Sequence, residues 1–464
     1  MADTRLADRH LAELHELAAE AGVEGYRKLG RDDLIRAIED AGDGAPSQEP
    51  KPKREERPER GRGRPRGRGG RGRGRRERER LPSSDDDEGE VVVEGAVVDD
   101  EAPGALEVDA DGPRDADEPT EEVSGTLDIL PQRYGFLRMR GLESDPADVY
   151  ISASQIRRCE LRPGDEVAGP AREPGRGERH RALVHVDSVN GTEPQTAERP
   201  DFDSLPPIPP ERRIPLDIDR ADVLARSIDL LAPLALGQRM LVRAAPRSGR
   251  TTLLRSIAAG FEAAEGIELI VLLIDERPEE ATAWRQASPG ARFAIATAEM
   301  PPADQVRLAE MALQRARRAA ETGGDVALVV DSLSRLAYAD GGVDAVKLLF
   351  GSGRNLAGGG SLTVVATTLA DTDDEGEADR AVATTESALV TLDPDLAVDG
   401  VHPAIVAGEC RISNEDELRE PDELAAVRKL RAALRDLEPA EAAAYLRERI
   451  EGTPSNAELL SGLD

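Results

Sequence analysis

Residues Met240 to Arg255 read Met-Leu-Val-Arg-Ala-Ala-Pro-Arg-Ser-Gly-Arg-Thr-Thr-Leu-Leu-Arg: an apolar run, a loop of small residues, and a helical pattern opening at Thr251. That order suits a loop that cradles phosphate. Small residues at Ala244, Ala245, Ser248 and Gly249 let successive backbone N–H groups converge on an anion. The N-terminus of the following helix adds partial positive charge. Thr251 stands where a Mg²⁺-ligating hydroxyl belongs, and Pro246, Arg247, Arg250 and Thr252 complete the candidate nucleotide loop. Two positions depart from the usual pattern: Ala244 replaces its first glycine and Arg250 its lysine. The competing reading is a plain strand-to-helix turn.

Acidic residues follow two other apolar runs. Asp275, Glu276 and Arg277 come directly after Leu269–Ile274, and Asp331 and Ser332 directly after Val326–Val330. In open α/β sheets ligands sit beyond the carboxyl ends of the strands, which is where these residues fall. Asp331 is the expected metal-side residue and Glu276 the expected polariser of an attacking water. The bland reading of each is a turn acid or helix cap.

A second chemical cluster is aromatic. Only 2% of the chain is aromatic, yet Tyr134, Phe136 and Tyr150 fall close together among Arg133, Arg138, Arg157 and Arg158. Rings that stack on bases, flanked by guanidinium groups, are the chemistry of single-stranded nucleic-acid recognition. Tyr134 and Phe136 flank Gly135 and share one strand face, so both are expected to be exposed; the alternative is that both fill a core.

The elements that must carry these groups differ along the chain. Five short alternating strands, at 125–130, 135–139, 149–151, 166–169 and 182–189, predict a small barrel of the OB or cold-shock kind over 124–191. Proline-rich residues 200–215 read as an extended connection within a linker at 192–220. From there a strand-helix rhythm predicts a parallel α/β sheet covered on both faces: strands 240–243, 268–274, 293–296, 326–330 and 361–367, with helices 251–263, 279–286, 303–321 and 344–356. Further strands near 386–392 and 404–407, and helices at 421–436, 439–450 and 455–462, complete the domain at 221–464.

Upstream, residues 6–39 have helical spacing and define a small module at 1–40, while 41–123 loses periodicity. That insertion opens with repeated Arg-Gly pairs and then turns acidic, with a net charge of about +10 over 51–80 and about −16 over 83–122. It is expected to be disordered, either an accessory RNA-binding tail or a solubilising tether. The formal charge of −31 means that any nucleic-acid site on the folded part is a local patch. No apolar run approaches the roughly 18 residues of a membrane span, and the two cysteines, Cys159 and Cys410, lie far apart. A soluble, cytoplasmic protein is expected.

The runs Leu272-Leu273-Ile274-Asp275-Glu276-Arg277-Pro278-Glu279-Glu280, Ala245-Pro246-Arg247-Ser248-Gly249-Arg250-Thr251 and Val330-Asp331-Ser332-Leu333-Ser334-Arg335-Leu336 closely resemble the bacterial Rho transcription termination factors. Tyr134–Arg138 and Asp148–Arg158 are similar to that family's primary RNA-binding barrel. The resemblance implies a RecA-like P-loop ATPase, assembled as a homo-hexamer, that binds single-stranded RNA, meets the RNA polymerase elongation complex, and uses ATP and Mg²⁺ to translocate and release transcripts. It implies RNA contacts at Tyr134, Phe136, Arg138, Tyr150, Glu178 and Arg179, with His180 replacing an aromatic. Thr251 and Asp331 would serve Mg²⁺, Glu276 and Arg250 catalysis, Arg277 a subunit-interface nucleotide pocket, and His402 the place of an adenine-stacking ring.

Several positions depart from the family. Lysines become Arg247 and Arg250, Ser413 takes the place of an arginine finger with Arg411 nearby, and the loop after Tyr338 is short. A second channel loop reads Asp371-Thr372-Asp373-Asp374-Glu375-Gly376-Glu377, which repels phosphate. Two functions therefore stand: an RNA-dependent ATPase and helicase, or an RNA-binding relative with little turnover that acts as a regulatory or partner-dependent subunit.

Overall fold

The structure is a computed structural model that describes residues 119–194, 199–369 and 376–463, all within one compact unit. The helical module at 1–40, most of the 41–123 insertion and the acidic stretch 371–375 lie outside the described residues. Among the described residues no helix is long and apolar enough to cross a membrane.

The barrel begins a little earlier than its sequence boundary. Strands β1 (Thr120–Ile129), β2 (Gly135–Arg138), β3 (Val149–Ile151), β4 (Glu166–Arg172) and β5 (Arg181–Leu183) pair in the order β1-β2-β3-β5-β4, and β4 closes back on β1. Leu127, Leu137, Val149, Ile151 and Val167, all fully buried, fill it. A six-residue helix α1 (Ala153–Arg158) follows β3, with Ser152 and Gln155 forming a reciprocal capping box at its start. The strand expected over 182–189 is split in two, β5 and β6 (Ser188–Val189). Ala171 pairs with Leu183 and Ala168 with Ser188, so the later segment carries two extra residues that arch away. The arch presses on Gly169, where a Cβ would lie 2.2 Å from the His185 carbonyl oxygen.

The larger sheet is parallel through β7 (Arg239–Ala244), β8 (Ile267–Glu276), β9 (Arg292–Thr297), β10 (Asp325–Asp331), β11 (Ser361–Leu369) and β12 (Ala388–Leu392), in the order β9-β8-β10-β11-β7-β12. Alternation along the strands builds two cores. Val271, Leu273, Val329 and Val242 face the side covered by α2 (Val223–Leu231) and α3 (Arg250–Ala263), with three C-terminal helices, α9 (Pro421–Arg435), α10 (Pro439–Glu451) and α11 (Asn456–Ser461), on that side as well. Ile270, Leu272, Val330 and Leu241 face α5 (Pro302–Glu321) and α7 (Gly342–Gly351). Both faces are dry, which is why these strands read as continuous apolar runs. Helix α4 (Pro278–Ala287) joins β8 to β9.

Three expectations change. The helix predicted to 356 stops at Gly351, and Arg354–Leu356 pairs antiparallel with β11. The strand predicted at 404–407 shrinks to one bridge between Leu392 and Ile405. Two short helices, α6 (Leu333–Ala337) and α8 (Gly376–Val382), were not legible because five to seven residues carry too little periodicity.

The connection at 200–215 is anchored. Phe202 is fully buried, stacked between the guanidinium groups of Arg317 at 5.0 Å and Arg354 at 4.8 Å, and its N–H donates to Glu321 Oε1 at 2.8 Å. Burial pushes the Glu321 carboxyl up, against the pull of Arg318 and Arg162. The barrel docks on the outer strand β9: Leu142 N–H donates to the Phe293 carbonyl and Ile295 N–H to Glu143 Oε1, each at 2.8 Å, so the sheet edge is covered. Arg292, Arg307 and Arg315 add ion pairs to barrel carboxylates Glu166 and Asp128. Gly164 sits at φ +84° with no room for a side chain, since a Cβ would lie 2.4 Å from the Gln314 carbonyl carbon.

Phe202→Ala removes a fully buried ring from this junction and is expected to cost about 3–5 kcal/mol, read as a lower urea midpoint. An unchanged midpoint would mean that the connection bears no load.

Candidate functional site

β7 runs between β11 and β12 and delivers Ala244 and Ala245, both buried, to the start of the phosphate loop. Pro246 and Arg247 are exposed, and Arg247 adopts φ 68°, a left-handed conformation costing about 1–2 kcal/mol for a residue with a Cβ. Ser248 turns inward, its hydroxyl donating to the Ala245 carbonyl at 2.7 Å. Gly249, at φ 92°, caps α3 without a side-chain acceptor. The first turn of α3, with half-buried Arg250 and Thr251 and exposed Thr252, therefore presents its amides to whatever anion enters.

Glu276 reaches this edge through a bulge. Ile274 pairs with Ala296 and Glu276 with Thr297, so Asp275, at φ 54°, is the extra residue and Glu276 points to the face opposite Ile274. Arg335 on α6 caps the bulge, Nη1 donating to the Asp275 carbonyl at 2.7 Å and lying 3.5 Å from Glu276 Oε2. Glu276 is buried, and its Oε1 accepts from the Arg277 N–H at 3.0 Å. Arg277 itself is exposed.

Asp331 is 0% exposed at the end of β10. Its Oδ1 accepts from the Thr367 hydroxyl at 3.1 Å and lies 3.0 Å from Arg250 Nε, close enough for an ion pair but not aligned as a hydrogen bond. Asp331 Oδ2 and Arg250 Nη1 are buried with no hydrogen-bond partner. This arrangement fits an implied Mg²⁺ and phosphate: the orphaned carboxylate oxygen of Asp331 suits a hard cation, and the orphaned guanidinium nitrogen of Arg250 suits an anion. Among the described residues no group of three His, Cys, Asp or Glu could hold a metal, so a cation here would draw its other ligands from phosphate and water.

A cavity of about 480 Å³ adjoins the loop. Ser248, Gly249 and Thr252 line it together with His402 and Pro403, so His402, which the resemblance puts in the place of an adenine-stacking ring, shares a cleft with the phosphate loop. Asp222, Arg447 and Glu451 also line it and were missed in the sequence, because they lie outside every motif, on or beside helices whose spacing carries no chemical signal. Arg411 and Ser413 are exposed near the sheet's far edge, where β12 pairs with residues 411–412.

On the barrel, four rings converge. Tyr134 lies 6.0 Å from Phe136 and 5.6 Å from Tyr150, Phe136 lies 6.1 Å from Tyr150, and His180 packs at 4.9 Å against Phe136. The two rings expected to be equally exposed differ: Tyr134 is half-buried, whereas Phe136 is 4% exposed beneath its neighbours. Burial raises the Tyr150 phenol, with Tyr134 and Glu178 adding to the effect. Glu178 forms a bidentate pair with Arg172 at 2.6 and 2.7 Å, and Arg179 is exposed. Arg138 departs furthest from expectation. It is 4% exposed and clamped between Asp128 and Asp148, so its guanidinium is not offered to phosphate; Arg157 and Arg158, at the end of α1, are exposed. Desolvation would lower the Arg138 pKa, and the two carboxylates more than reverse it.

A parallel sheet ending in an uncapped helix N-terminus, an acid pair and a base-sized cleft defines a phosphate-loop nucleotide-binding domain, here joined to a ring-bearing β-barrel. Residues 225–347 match the ATP synthase alpha/beta family nucleotide-binding domain. Residues 123–195 match the Rho termination factor RNA-binding domain, and residues 6–42 the Rho termination factor N-terminal domain. The chain is 36% identical to transcription termination factor Rho of Rhodopirellula baltica, over 72% of this chain and 70% of that one, and 35% identical to that of Aquifex aeolicus, over 74% and 84%. It is 38% identical to that of Streptomyces lividans over 73% of this chain, but spans only 51% of that longer relative. The chain belongs to the transcription termination factor Rho family.

Arg138→Met leaves buried Asp148 with only backbone N–H donors and Asp128 with Arg307 alone, and is expected to cost about 3 kcal/mol in barrel stability, followed by thermal melting. A loss under about 1 kcal/mol would place the residue among surface pairs, against its burial.

Proposed function

We propose that this chain binds nascent single-stranded RNA and terminates transcription, using RNA-dependent ATP hydrolysis to move along the transcript and release it. The observation that carries the reading is one sheet edge that gathers the uncapped start of α3, Arg250, Thr251, Asp331 and Glu276. Amides of α3 and the orphaned Nη1 of Arg250 hold phosphate oxygens. Buried Glu276 orients the attacking water, and the Arg335 cap keeps it aimed. Thr251 and Asp331 Oδ2 would hold Mg²⁺, which when bound offsets charge on the phosphates.

In the barrel, residues 124–191 in the sequence reading, Tyr134 and Tyr150 offer stacking faces, Phe136 and His180 support them, and Arg179 supplies charge. Resemblance extends the proposal to a homo-hexameric ring in the cytoplasm, engaged with the RNA polymerase elongation complex, in which exposed Arg277 and Arg411 face a neighbouring subunit's nucleotide. By the same reading residues 1–40 are a Rho N-terminal-like helical module, and residues 41–123 either an accessory RNA-binding tail or a solubilising tether. The alternative, a relative with little turnover, rests on Arg250 and Ser413. Against it stand the shared name of the relatives and the retention of both acids at the sheet edge.

ATP hydrolysis with and without a cytosine-rich RNA tests this. RNA is expected to stimulate turnover, Glu276→Gln to abolish it, Arg250→Lys to retain it, and Arg250→Ala to lower it by about 10²–10³-fold. Tight RNA binding with turnover no higher than that of Glu276→Gln would overturn the proposal.

A further inference from the structure

The cleft beside the phosphate loop is walled on one side by α10, which belongs to none of the motifs that define the nucleotide site. At about 480 Å³ it has the size of a small-molecule pocket. Val223, Leu224, Leu392 and Pro403 give it apolar walls suited to a flat ring. Its donors and acceptors sit one helical turn apart: Arg447 Nε donates to Glu451 Oε1 at 2.7 Å, and Arg447 Nη1 donates to the His402 carbonyl at 3.5 Å. The guanidinium is thus held from its own helix and from the loop opposite, while its remaining N–H groups stay available to the cavity that it lines. With its charge paired to Glu451 and its plane fixed, such an arginine is suited to reading a planar edge that presents two acceptors.

We propose that Arg447 reads the base of the bound nucleotide, oriented by Glu451, and that it makes the site take guanine at least as well as adenine. This inference rests on the nucleotide-site reading above. Guanine presents two adjacent acceptors, O6 and N7, which a guanidinium meets with two parallel N–H donors. Adenine presents N7 beside a donating amino group, so one of those two contacts is lost and donor faces donor. Arg447 is 49% exposed, so the discrimination belongs at the low end of what such pairs achieve, roughly fivefold to tenfold. Glu451 is a positioning residue; it acts by holding Arg447.

The test is fluorescence titration of the full chain with N-methylanthraniloyl GTP and ATP, with inorganic tripolyphosphate as a competitor that carries no base. The wild-type chain is expected to bind the GTP analogue as tightly as the ATP analogue or more tightly. Arg447→Ala should weaken the GTP analogue about fivefold to tenfold and the ATP analogue less than twofold, leaving tripolyphosphate competition unchanged. Glu451→Gln should move the same ratio in the same direction by less. Equal losses for both bases, or a ratio that Arg447→Ala does not move while tripolyphosphate still competes, would overturn the inference alone. Failure of the wild-type chain to bind either analogue or tripolyphosphate would overturn the nucleotide-site reading and the inference with it.

Discussion

Everything at the catalytic edge depends on how the charge of Asp331 is balanced. The carboxylate is fully buried at the end of β10, and an uncompensated charge there would cost several kcal/mol. Arg250 meets it, while Thr367 takes a second contact on the same oxygen. The guanidinium balances the charge as an ion pair through Nε and leaves Asp331 Oδ2 without a hydrogen-bond partner. On the proposed function the same group also serves the phosphates, and its unpartnered Nη1 is the atom left for that task. An arginine at the place where the phosphate-loop pattern has lysine would therefore alter what the nucleotide has to displace, while leaving a positive charge at the loop.

A similar choice governs the barrel. Arg138 is held by two acids, and one of them, Asp128, also pairs with Arg307 on α5 of the nucleotide domain. The ring cluster above it thus stands on a charged network that runs into the other domain, with Arg138 lying 5.7 Å from the Phe136 ring. Rigid stacking platforms lose little entropy on binding, and this one is braced from below. Phe202, clasped by Arg317 and Arg354, fixes the connection that follows.

Much of this was legible in the residues. Continuous apolar runs such as Leu269–Ile274 announced strands buried on both faces, and Gly249 before Arg250-Thr251 announced the start of α3. The acids could be placed at one edge because residues directly after parallel strands must lie there. Side-chain destination was not legible where tertiary partners decide it. Arg138 sits among arginines in sequence, and only folding brings Asp128 and Asp148 to it. Phe136 and Tyr134 share a face, yet closure of the barrel buries one under the other rings. Arg335, Arg447 and Glu451 belong to helices whose spacing carries no chemical signature, so proximity alone reveals them.

The central claim is that Arg250 is shared between Asp331 and the nucleotide, and metal-free nucleotide affinity tests it most directly. Titration of an ATP analogue in the presence of a chelator, with the wild-type chain and with Asp331→Asn, separates the two partners. If Arg250 is held back by the carboxylate, the variant binds the metal-free nucleotide more tightly, by about tenfold for a release of 1.4 kcal/mol. Unchanged or weaker metal-free binding by Asp331→Asn would contradict a shared arginine and leave Asp331 a role toward the cation alone.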